Sequence, residues 1–478
     1  MKIVIATSEA VPYAKTGGLA DVTGSLLREY LRLGEEAYLF IPLYRRVRNK
    51  FTPQDTGLRI NIDLGGRIIN SRIFSEDRKV FFIECDEFFD RDELYGTPFG
   101  DFADNPQRFI FFSKAILEAL MSLGLKSDIV HCNDWQTGLI PLYLKTLYNN
   151  DFFRKTRTVM TIHNMGYQGV FDANQFYLTG LGREWFNLEG IEFYGKINLL
   201  KAGLISADVI TTVSRRYAEE ILSPDYGHGL DGVLRKRVKD LKGVLNGIDT
   251  EEWNPATDRF IPGRFDSKDI TGKRRCKEEL LRECGLSISK DVPLISFVGR
   301  LSRQKGIDIL CESADRILSI GVGLIVLGKG DKEFEEMISG FNGRYKGKIY
   351  VRIGYDEVFA HRIYAGSDIF LMPSRYEPCG LGQMIAMRYG TIPVARGTGG
   401  IIDTVEDYDP ITGNGTGYLF DNLDPSSLIC SVRIALSVFG CRDKWEQLIK
   451  RAMDKDFSWK RSAREYLGIY DSLLQVKV

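Results

Sequence analysis

Both halves of this chain repeat one pattern: a short apolar run, a turn carrying glycine or charge, then a helical stretch. The runs read as strands at 2–7, 37–41, 129–131, 158–162 and 209–213, and again at 294–298, 323–327, 349–353, 369–372 and 392–395. Strands alternating with helices point to βαβ units and parallel sheets. With 478 residues the chain exceeds what one core supports, so two doubly wound α/β domains are expected, at 1–245 and 246–457, with a polar hinge over 246–291. After them, Trp459, Ala463, Tyr466, Leu467, Tyr470 and Leu474 recur at helical spacing over 458–478, with Ser458 placed as a cap and no strand following. Two such domains facing across a cleft fit the pattern, and ligands of these sheets bind beyond the carboxyl ends of the strands.

The strand-to-helix junctions are therefore where function is sought. The first reads Glu9-Ala10-Val11-Pro12-Tyr13-Ala14-Lys15-Thr16-Gly17-Gly18-Leu19-Ala20-Asp21. Paired glycines opening a helix let backbone N–H groups approach an anion, and Lys15 adds a mobile charge. The spacing is neither a P-loop nor a dinucleotide fingerprint; a tight turn with a surface lysine is the alternative reading. Leu19, Val22, Leu26, Leu27, Tyr30 and Leu31 share a face of the helix that follows, which Gly34 is placed to end.

The second junction, Gly299-Arg300-Leu301-Ser302-Arg303-Gln304-Lys305-Gly306, puts Arg300 at a strand's carboxyl end and Lys305 before a helix starting near Asp308. Two cations there can neutralise a diphosphate leaving group, Arg by bidentate contact and Lys as a point charge. A solvated basic loop is the alternative. The third junction, Pro373-Ser374-Arg375-Tyr376-Glu377-Pro378-Cys379-Gly380-Leu381-Gly382-Gln383, sets Glu377 at a turn and Gly380 to Gly382 in a first helical turn. Its carboxylate suits sugar hydroxyls or the helix dipole. Cys379 has no histidine nearby in sequence to activate it as a nucleophile. A fourth junction carries Arg396-Gly397-Thr398-Gly399-Gly400.

Composition removes several classes. Lys plus Arg and Asp plus Glu are 64 each, so nucleic acid or an anionic membrane is not expected as the main partner. The eight cysteines form no C-x-x-C pair and there are only four histidines, which argues against a Cys/His zinc site and for free thiols in the cytoplasm. The apolar start is too short for a signal peptide, and no run of about 18 apolar residues exists to span a membrane. His163, in Thr161-Ile162-His163-Asn164, lies at a strand end facing the expected cleft. His131 is read as structural, His228 and His361 as peripheral, and Asp134 as a sugar contact or a helix cap.

Taken together, these residues resemble the bacterial glycogen synthases and plant starch synthases. The resemblance rests on Lys15-Thr16-Gly17-Gly18-Leu19-Ala20-Asp21, Gly299-Arg300-Leu301 with Gln304-Lys305-Gly306, Glu377-Pro378-Cys379-Gly380-Leu381 and Thr398-Gly399-Gly400. His131-x-x-Asp134-Trp135, Thr161-x-His163-Asn164, Asn246-Gly247-Ile248-Asp249 and Trp253-x-Pro255 match in order as well, so nearly the whole chain is covered. The resemblance implies a GT-B fold of two Rossmann-like domains with the active site between them, and a last helix crossing back to the first. It implies an ADP-glucose donor, an α-1,4-glucan acceptor such as glycogen, retention at the anomeric carbon, no cofactor and no essential metal.

Carried over by position, the donor lysine is Lys15, with Gly17 and Gly18 beside it, and the diphosphate cations are Arg300 and Lys305. Glu377 would hold glucose hydroxyls, with Gly380 and Leu381 giving backbone N–H groups, and His163 would sit beside the sugar. Asp21 and Asn246 would line the cleft, Tyr355 would lie against adenine, and Tyr95 and Asp134 would touch sugar. Two departures stand out: Gly382 where the family often has Thr, and Asp90-Arg91-Asp92-Glu93-Leu94 in place of a Pro/Gly-rich stretch before Tyr95. The rival readings are a transferase of the same fold using UDP-glucose, a glucan phosphorylase with pyridoxal on a lysine, and a non-catalytic glucan-binding protein. A nicotinamide dehydrogenase lacks its first-turn glycine fingerprint here.

Overall fold

The apolar runs form strands because a parallel strand is covered on both faces and must be apolar throughout. A computed structural model describes residues 1–97 and 99–475. In its first unit the strands are β1 (Lys2–Ala6), β2 (Glu36–Pro42), β3 (Gln54–Leu64), β4 (Arg67–Glu76), β5 (Val80–Ile83), β6 (Ile129–Asn133), β7 (Arg157–Ile162), β8 (Val209–Thr212) and β9 (Leu241–Gly243). They make a nine-stranded sheet in the order β9-β8-β7-β6-β1-β2-β5-β4-β3. The chain leaves β1 for β2 on one side and later returns to β6 on the other. The topological switch point therefore lies between β1 and β6, where the carboxyl ends open a crevice.

The β3–β4 hairpin pairs antiparallel and has no counterpart among the strands expected from sequence. Its strands are half polar, with buried and exposed residues alternating, so no continuous apolar run marks them. Gly65 and Gly66, both at positive φ (65° and 90°), make the two-residue turn. The helix Gly18–Arg32 buries Leu19, Val22, Leu26, Leu27 and Tyr30, while Leu31 is exposed; Gly34 at φ 85° follows its end. The helix Trp459–Gln475 belongs to this unit. Its Tyr470 hydroxyl lies 2.9 Å from the Tyr30 hydroxyl and 2.7 Å from His131 Nδ1.

The second unit comprises residues 214–217 and 245–458. Its strands are β10 (Leu294–Val298), β11 (Gly323–Gly328), β12 (Ile349–Ile353), β13 (Ile369–Met372), β14 (Ile392–Arg396) and β15 (Tyr418–Phe420), in the order β12-β11-β10-β13-β14-β15. All pair in parallel. Here the switch point lies between β10 and β13. Residues 214–217 fall inside the span read from sequence as the first domain; Ser214 Oγ donates to the Pro378 carbonyl at 2.5 Å and the Arg216 amide to Asp403 at 2.9 Å. Among the described residues no helix is long and apolar enough to cross a membrane.

Candidate functional site

Each switch point carries a cluster of polar groups. In the first unit the chain emerges from β1 into Thr7, Ser8 and Glu9, all buried. The Glu9 carboxylate accepts from the Thr16 amide at 2.5 Å, the Thr16 hydroxyl at 2.7 Å, the Gly17 amide at 3.3 Å and the Tyr95 hydroxyl at 2.7 Å. The amide of Gly17, which the sequence offers to a phosphate, is thus turned onto an internal carboxylate. Gly18 is the first residue of the helix Gly18–Arg32, and Lys15 Nζ lies 2.7 Å from Asp21 Oδ1. The hydroxyl of Tyr95, expected at a sugar, is also 2.7 Å from Ser8 Oγ and so ties the loop.

The ends of β6 and β7 complete this cluster. Asp134, in the left-handed region at φ 55°, makes no side-chain cap to the short helix after it. Its carboxylate accepts from the His163 amide at 2.8 Å. Burial, reinforced by the charge of Glu9, pushes the Asp134 carboxyl up to about 7. His163 Nε2 is 2.9 Å from Asn133 Oδ1. The Asn133 amide nitrogen lies 3.2 Å from the carbonyls of Ala6 and His131, which only accept. The amide oxygen therefore faces the ring, Nε2 carries the proton, and Nδ1 presents a lone pair. Burial holds His163 down at about 3, so this imidazole is neutral across the physiological range. His131 is fully buried between Thr161 Oγ1 (2.5 Å) and Tyr470, and is structural.

In the second unit, Lys305 follows β10 and Glu377 follows β13. Their side chains meet: Nζ to Oε2 is 2.5 Å, and Ser374 Oγ donates to the same oxygen at 3.1 Å. Glu377 is 4% exposed, so its charge is held by the ammonium rather than by water. The two loops are locked to each other. Arg375 makes a bidentate pair with Asp308 at 2.8 and 2.7 Å, and its amide donates to the Gln304 carbonyl at 2.8 Å. Gly306, at φ 70°, passes so close to Pro373 that a Cβ would stand 1.8 Å from its carbonyl oxygen.

Arg300 stands exposed at the end of β10 on the same edge of the sheet. Tyr355, 75% exposed, follows β12, two strands away. The backbone N–H of the buried Asn246 donates to Cys379 sulfur, and its side-chain Oδ1 has no partner among the described residues. The expectation of a helical turn over Gly380 to Gly382 is corrected: the helix is Gly382–Arg388, Leu381 is its cap, and Gly380 sits at φ 75° outside it. Gln383 folds back to bond the carbonyls of Cys379 and Gly380 at 3.0 and 2.9 Å, which holds that bend. A Cβ at Gly382 would lie 3.0 Å from the Phe370 ring, which would have to give by a few tenths of an ångström. Burial pushes the Cys379 thiol up to about 12, which removes it as a nucleophile.

Sequence reasoning did not single out Glu9, Asn133 or the Arg375–Asp308 clamp. Glu9 had a visible signal, an acid directly after a buried strand and before paired glycines. The other two depend on partners that only the fold brings near.

Two parallel-sheet α/β units, each with charged groups at its switch point, define a glycosyltransferase of the GT-B fold. The starch synthase catalytic domain matches residues 2–236 and the glycosyl transferases group 1 domain matches 285–452. A glycogen synthase of Thermodesulfovibrio yellowstonii is 45% identical over 99% of this chain and 98% of its own. One from Thermotoga maritima is 43% identical over 99% of both chains. The catalytic domain of starch synthase IV from Arabidopsis thaliana, solved with ADP and acarbose, superposes with a TM-score of 0.91 at 32% identity over 99% of each chain. A sucrose-phosphate synthase from Thermosynechococcus elongatus, 17% identical with a TM-score of 0.63, shares the fold alone. This chain belongs to the glycogen synthase and starch synthase family of retaining glycosyltransferases.

Proposed function

We propose that this protein transfers glucose from ADP-glucose to the 4-hydroxyl at the non-reducing end of an α-1,4-glucan, with retention and in the cytoplasm. The observation that carries this reading is the Lys305–Glu377 pair at the second switch point. When the bond from C1 to the diphosphate breaks, negative charge grows on the leaving oxygen and positive charge on the sugar. Lys305 and Arg300 stabilise the departing diphosphate, as fixed donors do for any developing anion. Glu377, ion-paired and bonded by Ser374, is a poor nucleophile and serves as an acceptor for sugar hydroxyls. The acceptor hydroxyl then attacks from the face the diphosphate leaves, and the diphosphate oxygen takes its proton.

His163, neutral and with Nδ1 as acceptor, takes a hydrogen bond from a sugar hydroxyl. Lys15, Asp21, Asn246 and Tyr355 are assigned to the donor, with Gly380 and Leu381 giving it backbone N–H groups. Asp134 is assigned to sugar through the segment it holds at His163. The donor nucleotide is supported by the plant starch synthase structure that holds ADP and acarbose. The cytoplasm is supported by eight cysteines that are all free thiols.

Turnover of ADP-glucose and UDP-glucose with glycogen, measured side by side, tests the donor. Faster release of ADP is expected; preference for UDP-glucose overturns the assignment, and glucan binding with no nucleotide release from either overturns catalysis. NMR of the product is expected to show α-linked glucose, and a β-linkage overturns retention.

A further inference from the structure

His361 lies on the helix Glu357–Gly366 of the second unit, read from sequence as peripheral. Its imidazole is 1% exposed and stacks on Trp253, with ring centroids 4.0 Å apart and planes at 12°. The edge of Phe260 closes a further side at 5.0 Å. On the ring, Nδ1 is 2.7 Å from Asp258 Oδ2, which also accepts from the Tyr389 hydroxyl at 2.6 Å. The Phe260 amide donates to Asp258 Oδ1 at 2.8 Å, so both carboxylate oxygens face donors. An ionised carboxylate only accepts, so Nδ1 carries the proton.

With Nδ1 committed to Asp258, Nε2 is the ring atom left for a ligand, and it is buried with no hydrogen-bond partner among the described residues. Acidic side chains lie close to this ring. Carboxylate oxygens of Glu252 and Glu357 and a ring nitrogen of His361 all lie within 4.8 Å of one another, and both glutamates are exposed. A buried ring nitrogen without a partner, close to carboxylate oxygens, is an arrangement that a cation would complete.

We propose that Glu252, Glu357 and His361 Nε2 form a binding site for a divalent transition-metal ion of the zinc type. One imidazole and two carboxylates suit such an ion, whereas magnesium and calcium prefer oxygen throughout. The exposed glutamates leave room for water as a further ligand. Asp258 orients the ring and fixes its tautomer, the outer carboxylate that metal-bound histidines commonly have. The ion would tie the turn before Trp253 to the helix Glu357–Gly366, so its role is structural, and it is separate from Lys305 and Glu377. The competing account is that the three side chains cluster without any metal.

The test titrates Zn²⁺ into the full chain after chelator treatment and dialysis, by calorimetry, alongside Glu252→Gln, Glu357→Gln and the double variant. Both substitutions are at exposed positions, so the stacked ring that His361→Gln would disturb is kept. The expected result is one saturable site in the wild type, weakened about tenfold or more by each substitution, with a Zn²⁺-dependent rise in Tm that the double variant loses. Co²⁺ is expected to give visible absorption bands in the wild type alone. Absence of saturable binding, or equal affinity in the double variant, overturns the site. The second result would move the ion to other ligands such as the exposed thiols Cys430 and Cys441.

Discussion

The two switch points each bury a carboxylate and treat it in opposite ways. Glu9 accepts from neutral donors within its own unit: two amides and two hydroxyls. Glu377 is held by an ammonium, Lys305, and a single hydroxyl. Neutral donors spread over a loop make a carboxylate a scaffold; they fix the shape of Lys15-Thr16-Gly17-Gly18 and leave no charge to exchange. A carboxylate–ammonium pair at a strand end keeps both charges available to a substrate that brings hydroxyls for one and phosphate for the other. The comparison teaches that glycine-rich junctions with similar sequence logic hold their carboxylates differently; under the proposed function this divides the labour, one shaping a loop and the other carrying the chemistry.

The sharpest way to break this contrast is to neutralise each carboxylate in turn. Glu377→Gln keeps the shape and the Ser374 bond but removes the charge facing Lys305. We expect kcat to fall roughly 10²–10³-fold, the scale of losing one fixed electrostatic group at a reacting centre. Glu9→Ala removes the acceptor shared by the Thr16 and Gly17 amides and the Tyr95 hydroxyl, which keeps its contact to Ser8. A loss of about 1–3 kcal/mol in urea denaturation is expected, the net worth of hydrogen bonds to a charged group, with KM affected more than kcat. If Glu9→Ala lowers kcat as far as Glu377→Gln does, the division of labour fails.

A smaller effect is pH-dependent. Asp134 is raised from 3.8 to about 7 by burial, so the folded chain binds its proton more tightly than the unfolded chain. The stability it contributes is complete below the unfolded value and is lost as pH rises through about 7. Denaturation at intervals between pH 4 and 7 is expected to show stability declining by an amount on the order of 1–3 kcal/mol that Asp134→Asn removes. His163, held at about 3, adds no such limb; its ring proton shifts in NMR are expected to stay constant between pH 5 and 8. Smallest of all, Cys379→Ser is expected to keep near wild-type kcat, since the thiol is buried and protonated. Abolition of turnover there would reinstate a nucleophilic cysteine.

Much of the fold is legible in the chain because buried parallel strands demand continuous apolar residues. The runs at 294–298 and 349–353 became Leu294–Val298 and Ile349–Ile353. The β3–β4 hairpin escaped because one polar face breaks the run, although Gly65-Gly66 marked its turn. The charged groups of the second switch point were legible singly, as Lys305 and Glu377. Their pairing was not, since 72 residues of chain separate them and only the β10–β13 adjacency brings them together. Asn133 was illegible for the same reason: its amide orientation is set by the Ala6 carbonyl of the adjoining strand together with that of His131 on its own.

The most direct test of the account is release of ADP from ADP-glucose with glycogen present, compared between the wild type and Lys305→Ala. The variant removes the ammonium and leaves Glu377 unpaired in a buried position. The account predicts a fall in kcat of roughly 10²–10³-fold with the folded state retained by circular dichroism. A Lys305→Ala enzyme that releases ADP at the wild-type rate would contradict it.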